Sequence, residues 1–351
     1  MMKLTIPKTI REIPYEQSPY YLAEYGEREK RTRKDLSDVC YYLKGLVIPD
    51  LPAGFTVAEP FRNGLSDDEI KAGISAFRLF LYALYDKLVA NKDVIDVKKG
   101  EKFDPEINSI WHCFPMISDI ASVLFTFGVH GRLESEPRYK LVLHGDDLLK
   151  MGKKMSAKRK LEVISFLSEL GFHFEDVDFF SKVDKLSQLS KIETFFVQNE
   201  NDDDIMLGMK LLAQATLNIK AGHNDFVTLF MRGDFYPLAE SAPKSHQMNI
   251  SEFVHSQPME IKDSIIKLDK LLIENGCKVK SSMDCYSCNG TFTYTSRKNK
   301  GIVYKIEIKI SGVRVKSVLY NSESTENMCF LLEDALEREL LRKQIEMAFK
   351  T

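Results

Sequence analysis

No stretch of this 351-residue chain is apolar for long enough to cross a bilayer. The most hydrophobic segment, Phe77 to Tyr85, carries Arg78 and falls far short of the ~20 residues a spanning helix needs. The first residues, Met1-Met2-Lys3-Leu4-Thr5-Ile6-Pro7, lack the apolar core of a secretory signal, so the expectation is a cytoplasmic protein without a membrane partner. An excess of one charge is also missing. Lys and Arg number 49 against 51 Asp and Glu, a net charge of −2. A duplex-binding protein needs a basic surplus to neutralise phosphates, so nucleic acid is not the expected partner. Neither G-x-x-x-x-G-K-[ST] nor G-x-G-x-x-G occurs, and neither does G-x-S-x-G or H-E-x-x-H. The common phosphate-cradling loops, the nucleophile elbow and the zincin helix are thereby excluded.

What is present is an ordinary globular composition, with 44% hydrophobic and 28% charged residues, enough to build a sizeable core. Up to about Arg62 the chain is polar and weakly periodic, and Pro49, Pro52, Gly54 and Pro60 punctuate a loop. Ser66 and Glu69 then form a capping box, in which each side chain satisfies the other's backbone N–H at a helix start. Ile70, Ile74, Phe77, Leu81, Leu84 and Leu88 follow at helical spacing, and this helix is expected to end near Lys92. Pro115 opens a second helix with Gly128 as its stop. Ser156 caps a third, Ala157 to Leu170, which Gly171 ends. Strands are expected at Tyr139 to Leu143, Phe172 to Phe174 and Glu193 to Gln198, and an extended apolar segment at Phe226 to Leu238, closed by Pro237. Asp202, Asp203 and Asp204 precede the apolar run Ile205 to Ile219, where acidic residues suit the positive end of a helix dipole.

Towards the C-terminus, Ile261, Ile265, Leu268 and Leu272 form a helical stripe, and Gly276 is its cap. Phe292 and Tyr294 alternate with Thr291, Thr293 and Thr295. Ile302, Tyr304, Ile306, Ile308 and Ile310 likewise alternate with polar residues and Val303, the mark of half-buried strands. Ser311-Gly312 turns into another strand, and a helix is expected over Met328 to Phe349. The fold class is therefore α+β: a helix-rich N-terminal region, and a smaller C-terminal unit with an antiparallel meander flanked by helices. Residues 1–240 form the first domain, with a further division near 130–150. Residues 241–256 form a polar linker and 257–351 an α-β-β-β-α domain.

Candidate chemistry is sparse. Cys285 and Cys288, two residues apart, can point both sulfurs at one metal. With Cys277 and Cys329 they would complete a tetrahedral zinc site tying the meander to its helices. A strong zinc signature has two such pairs and this chain has one, so zinc is the single conceivable cofactor and none is expected outright. His144, Asp146 and Asp147 follow a strand, where acid–base or metal-binding groups are often found, although Gly and Asp there also form turns and helix caps. Glu200, Asp202, Asp203 and Asp204 lack the register of a calcium loop. Lys305, Lys309, Arg314 and Lys316 line the polar side of the meander, the ordinary composition of a solvated sheet face. Arg232-Gly233-Asp234 lies inside an apolar segment and reads as chance.

With no catalytic fingerprint and with 22 Phe and 14 Tyr to line pockets and interfaces, the chain reads as a binding module for a small molecule or a protein partner. The alternatives are an enzyme centred on His144, Asp146 and Asp147, or a structural zinc-binding or nucleic-acid-binding protein acting through its C-terminal unit.

Overall fold

The computed structural model describes residues 36–47, 51, 55–91, 114–151, 154–183, 194–217, 228–239, 250–254, 256, 259–274, 276–284, 289–296, 302–309, 312–318 and 327–329. The chain is an α+β protein with antiparallel sheets, made of two compact units that are each discontinuous in sequence. A terminal unit combines Met1–Leu46, Gly100–Ile110 and Gln247–Thr351. A central unit combines Val47–Lys99 with Trp111–His246. A division at residue 240 does not follow these units, because helix α1 (Leu36–Leu46) groups with the C-terminal strands. Leu36, Val39, Leu43 and Leu46 form its buried stripe, and the Tyr42 hydroxyl donates to the Ile308 carbonyl at 3.4 Å.

The central unit begins with the short helix α2 (Glu59–Arg62), in which Pro60 occupies the first turn where a loop was expected. Helix α3 (Asp67–Ala90) starts at the capping box: Ser66 Oγ accepts from the Glu69 N–H at 3.3 Å, and the Glu69 carboxylate accepts from the Ser66 N–H at 2.8 Å. Ser66→Ala is expected to cost about 1 kcal/mol, read as a shifted urea midpoint at unchanged slope. Helix α4 (Pro115–His130) continues two residues past Gly128. That glycine is not a stop but a contact. A Cβ there would fall 2.5 Å from the Ala213 Cβ and 2.7 Å from the Met209 carbonyl oxygen, so its bareness lets another helix approach.

Four short strands form an antiparallel sheet interleaved with helices. In chain order they are β1 (Arg132–Glu134), β2 (Lys140–Leu143), α5 (Gly145–Leu149), α6 (Ala157–Ser168), β3 (Phe172–Phe174), α7 (Val177–Lys182), β4 (Phe195–Asn199) and α8 (Asp204–Leu217). The spatial order is β1-β2-β4-β3. Register places Leu141, Leu143, Phe172, Phe174, Phe195 and Val197 on one buried face. Against it, Phe127 of α4 and Phe180 of α7 meet Phe195 at ring distances of 6.0 and 5.5 Å. The apolar segment expected to be extended is helical at 228–231 and again in a 3-10 turn at Tyr236–Leu238, with Pro237 inside that turn. Short apolar runs suit either conformation until packing decides. Arg232 and Asp234 are buried and face each other at 3.9 Å across Gly233, so this tripeptide is part of the interior.

In the terminal unit, helix α9 (Ile250–Val254) occupies part of the segment expected to be a linker, because Ile250, Phe253 and Val254 are all buried. Helix α10 (Met259–Glu274) buries Ile265, Leu268 and Leu272, and Gly276 follows at φ 83°. A five-stranded antiparallel meander comes next: β5 (Cys277–Asp284), β6 (Asn289–Ser296), β7 (Ile302–Lys309), β8 (Gly312–Val318) and β9 (Asn327–Cys329), in that spatial order. Phe292, Tyr294, Tyr304, Ile306 and Ile308 occupy its buried face as the alternation requires. The Phe253 ring meets Phe292 at 5.6 Å, and the Tyr294 hydroxyl donates to Asp269 at 2.6 Å. Residues 327–329 pair with β8 rather than opening a helix, and the rest of the expected terminal helix lies outside the described residues. No helix among the described residues is long and apolar enough to cross a membrane.

Candidate functional site

A cleft of about 510 Å³ opens in the central unit. Helix α8 forms its wall. Leu207, Lys210, Leu211 and Gln214 occupy positions i, i+3, i+4 and i+7 and therefore share one face of the helix. Helix α4 ends opposite, placing His130 at the cleft, and Gly131 turns the chain into β1 so that Arg132 and Leu133 line it too. Asn63 contributes from the turn after α2, where it and Gly64 adopt left-handed backbone at φ 48° and 82°. The β1–β2 connection supplies Ser135 and Tyr139. An imidazole, a guanidinium and an ammonium thus line the cleft, and among the described residues no carboxylate does.

Lys210 and His130 are held by the same helix end. The Lys210 ammonium donates to the Val129 carbonyl at 3.1 Å, one of the carbonyls a helix leaves unpaired in its last turn. Burial pulls Lys210 below the usual lysine range, although the nearby Asp147 carboxylate acts in the opposite direction. Burial likewise lowers the His130 imidazole, helped by the positive charges of Lys150 and Lys210 and opposed by Asp147. Arg132 sits at the rim, paired with Glu134 at 2.6 Å. Tyr139 is tied down from the other side, its hydroxyl donating to Glu69 at 3.3 Å and its N–H to Asp203 at 3.0 Å.

The residues expected from sequence are placed as follows. His144 is exposed at the start of α5, and its backbone N–H donates to the Asp147 carboxylate at 3.1 Å. Asp147 also accepts from Lys150 Nζ at 2.9 Å. Partial burial works to raise the Asp147 carboxyl, but those two hydrogen bonds outweigh it and hold the group below the usual carboxylate range. Asp146 is exposed. The trio therefore makes a helix cap beside the cleft rather than lining it, and of the three Asp147 is the one whose charge is felt at both His130 and Lys210.

Of the four cysteines, two fall on described strands. Cys277 is a buried free thiol on β5, pushed up to about 11 by burial, and Cys329 is on β9. Those strands are the two edges of the five-stranded meander, roughly 19 Å apart at about 4.8 Å per strand. One tetrahedral zinc cannot span that separation. Cys285 and Cys288 lie outside the described residues. Among the described residues no group of three or more His, Cys, Asp or Glu is placed to hold a metal. The acidic residues before α8 act locally: Asp202 accepts from the Asp204 N–H at 3.1 Å, and Asp203 holds Tyr139.

Sequence reasoning missed His130 and Lys210. A signal was present for the second, since Lys210 is the one charged residue after Asp204 in an otherwise apolar and neutral helix. A cation on that face must have a polar reason to be there. Compared with known proteins, the chain matches no family model, no curated protein and no solved structure.

Proposed function

We propose that this protein is a cytoplasmic binding module for a small molecule, and that the central-unit cleft is where the ligand sits. The observation that carries this reading is the cleft's construction. Leucines 65, 133, 207 and 211 supply an apolar lining, and polar groups from α4, α8 and the β1–β2 connection converge on the same space. A volume of about 510 Å³ lies within the range of small-molecule sites. At the exposed helix cap of His144 the Asp147 carboxylate is bonded to Lys150 and to the helix start, which favours the cleft over that cap as the place of function.

A thermal-shift screen of the full chain against a chemically diverse set of small metabolites tests the proposal. Ser135 lies exposed in the cleft lining, so Ser135→Trp fills the opening without disturbing buried packing. Stabilising compounds are expected for the unaltered chain, and their effect is expected to vanish in Ser135→Trp. A screen without hits, or hits that stabilise both proteins equally, removes the cleft from consideration.

A further inference from the structure

Resting on the small-molecule reading, we infer that the ligand is an amphipathic anion: a carboxylate or phosphate group held by Lys210 and His130, on a small apolar body lying along Leu207 and Leu211. The argument begins with unspent donors. An ammonium carries three N–H groups, and among the described residues Lys210 spends one, on the Val129 carbonyl. It has no carboxylate within salt-bridge distance among those residues, although it sits in a partly buried position on an apolar helix. A cation withdrawn from water without a counter-charge is costly, and the cost disappears when an anion arrives. The same ligand gains from a charge-assisted hydrogen bond of the stronger kind.

The charges around this point favour one end of the cleft for the anion. Lys150 and Asp147 act on His130 in opposite directions, Arg132 stands at the rim paired with Glu134, and Lys210 is the cation of the cleft without a carboxylate at salt-bridge distance among the described residues. Of the negative groups, Asp147 is felt at His130 and Lys210 but is itself bonded to Lys150, and Glu134 is paired with Arg132 and with Lys140 at 3.2 Å. Glu69, Asp203 and Asp204 gather behind Tyr139, where they repel an anion from that end and leave Lys210 as its place. The Lys210 contact with Val129 has a purely structural use, capping α4, so the test must separate capping from binding.

Isothermal titration of the full chain with hexanoate, hexyl phosphate, inorganic phosphate, hexan-1-ol and hexylamine does this. Hexanoate or hexyl phosphate is expected to bind at least about tenfold tighter than hexanol, the weight of one charge-assisted hydrogen bond. Which of the two binds tighter identifies the head group. Hexylamine is expected to be rejected, and inorganic phosphate to bind more weakly than hexyl phosphate. Affinity for hexanoate, which stays ionised there, is expected to rise as pH falls through the imidazole range, because burial pulls His130 below its usual range in the empty cleft and a bound anion favours its protonated form.

Lys210→Met should bring hexanoate down to the level of hexanol, and Lys210→Arg should retain most of the preference. A merely capping lysine would lower the melting temperature of Lys210→Met and leave the ratio of anion to alcohol unmoved, which would overturn the inference. Hexanol or hexylamine binding best, and being blocked by Ser135→Trp, would also overturn it while leaving the cleft a binding site. If nothing binds and the wider screen is equally empty, the small-molecule reading itself fails.

Discussion

Phe195→Ala is expected to destabilise the protein by about 3–5 kcal/mol, enough to lower the melting temperature on the order of 10 °C. Phe195 is fully buried at the start of β4, and its ring meets those of Phe127, Phe174, Phe179 and Phe180 at 6.0, 6.3, 6.4 and 5.5 Å. Truncation removes the transfer energy of a large apolar side chain and leaves a cavity whose ring-bearing walls belong to helices α4 and α7 and strand β3. Those walls cannot all collapse at once. Each lost ring pair adds about 0.5–1.5 kcal/mol beyond the area term. Phe195→Leu keeps much of the volume and should fall well short of the alanine cost. The neighbouring residue supplies the control. Phe196 points to the opposite face of β4, is partly exposed, and lies under Lys140 Nζ at 4.5 Å. Phe196→Ala is expected to cost about 1 kcal/mol, the scale of a surface cation–π contact plus partial burial. Equal losses at the two positions, measured by urea unfolding, would show that the sheet does not bury the face assigned to it.

The contrast between these adjacent phenylalanines marks what local sequence could and could not reveal. Where a structural decision is local, it was legible. Ser66 and Glu69 cap α3, Ser156 accepts from the Arg159 N–H at the start of α6, Gly171 and Gly276 take left-handed backbone after helices, and alternation assigns the buried face of β6 and β7. Where the decision is made by a distant partner, the same residues misled. Gly128 has the look of a helix stop and is instead the place where α4 and α8 touch. No property of residues 115–130 distinguishes the two roles. Residues 327–329 form a strand because β8 offers an unpaired edge, which a helical pattern in the following residues cannot announce. Helix α1 carried its stripe in plain view, but a polar, tyrosine-rich context masked it. The candidate site follows the same rule. His144, Asp146 and Asp147 stand out in the sequence because they follow a strand, and their closeness reflects a helix cap. His130 and Lys210 stand 80 positions apart and meet only because α4 and α8 pack side by side.

Among the described glycines, Gly208 of the same helix α8 has the closest neighbour. Gly208→Ala is expected to cost about 3 kcal/mol or more, at the top of the overpacking range. The gain of about 0.5–1 kcal/mol that alanine normally brings to a helix interior will not offset this. A Cβ at Gly208 would lie 1.9 Å from the Gly73 carbonyl oxygen and 2.5 Å from its carbon, and both belong to the α3 backbone. No rotamer relieves a clash with main chain, so the two helices must separate. Gly73→Ala tests the same crossing from the other side more gently. Its Cβ would meet Leu207 Cγ at 2.8 Å, a side chain with some freedom to turn, and the Gly208 nitrogen at 3.0 Å. The expected order of unfolding midpoints is therefore unaltered chain, Gly73→Ala, Gly208→Ala. The reverse order of the two variants would mean that α3 and α8 do not cross backbone to backbone here. The consequence reaches the cleft, because Leu207 precedes Gly208 and Lys210 follows two residues later on the same helix. Pushing α8 away from α3 shifts the wall that carries the ammonium, and a displacement of an ångström is enough to spoil a short charged contact. Under conditions where Gly208→Ala remains folded, binding of the anion that Lys210 recognises should weaken more than that of the uncharged alcohol, since only the first depends on where that nitrogen stands.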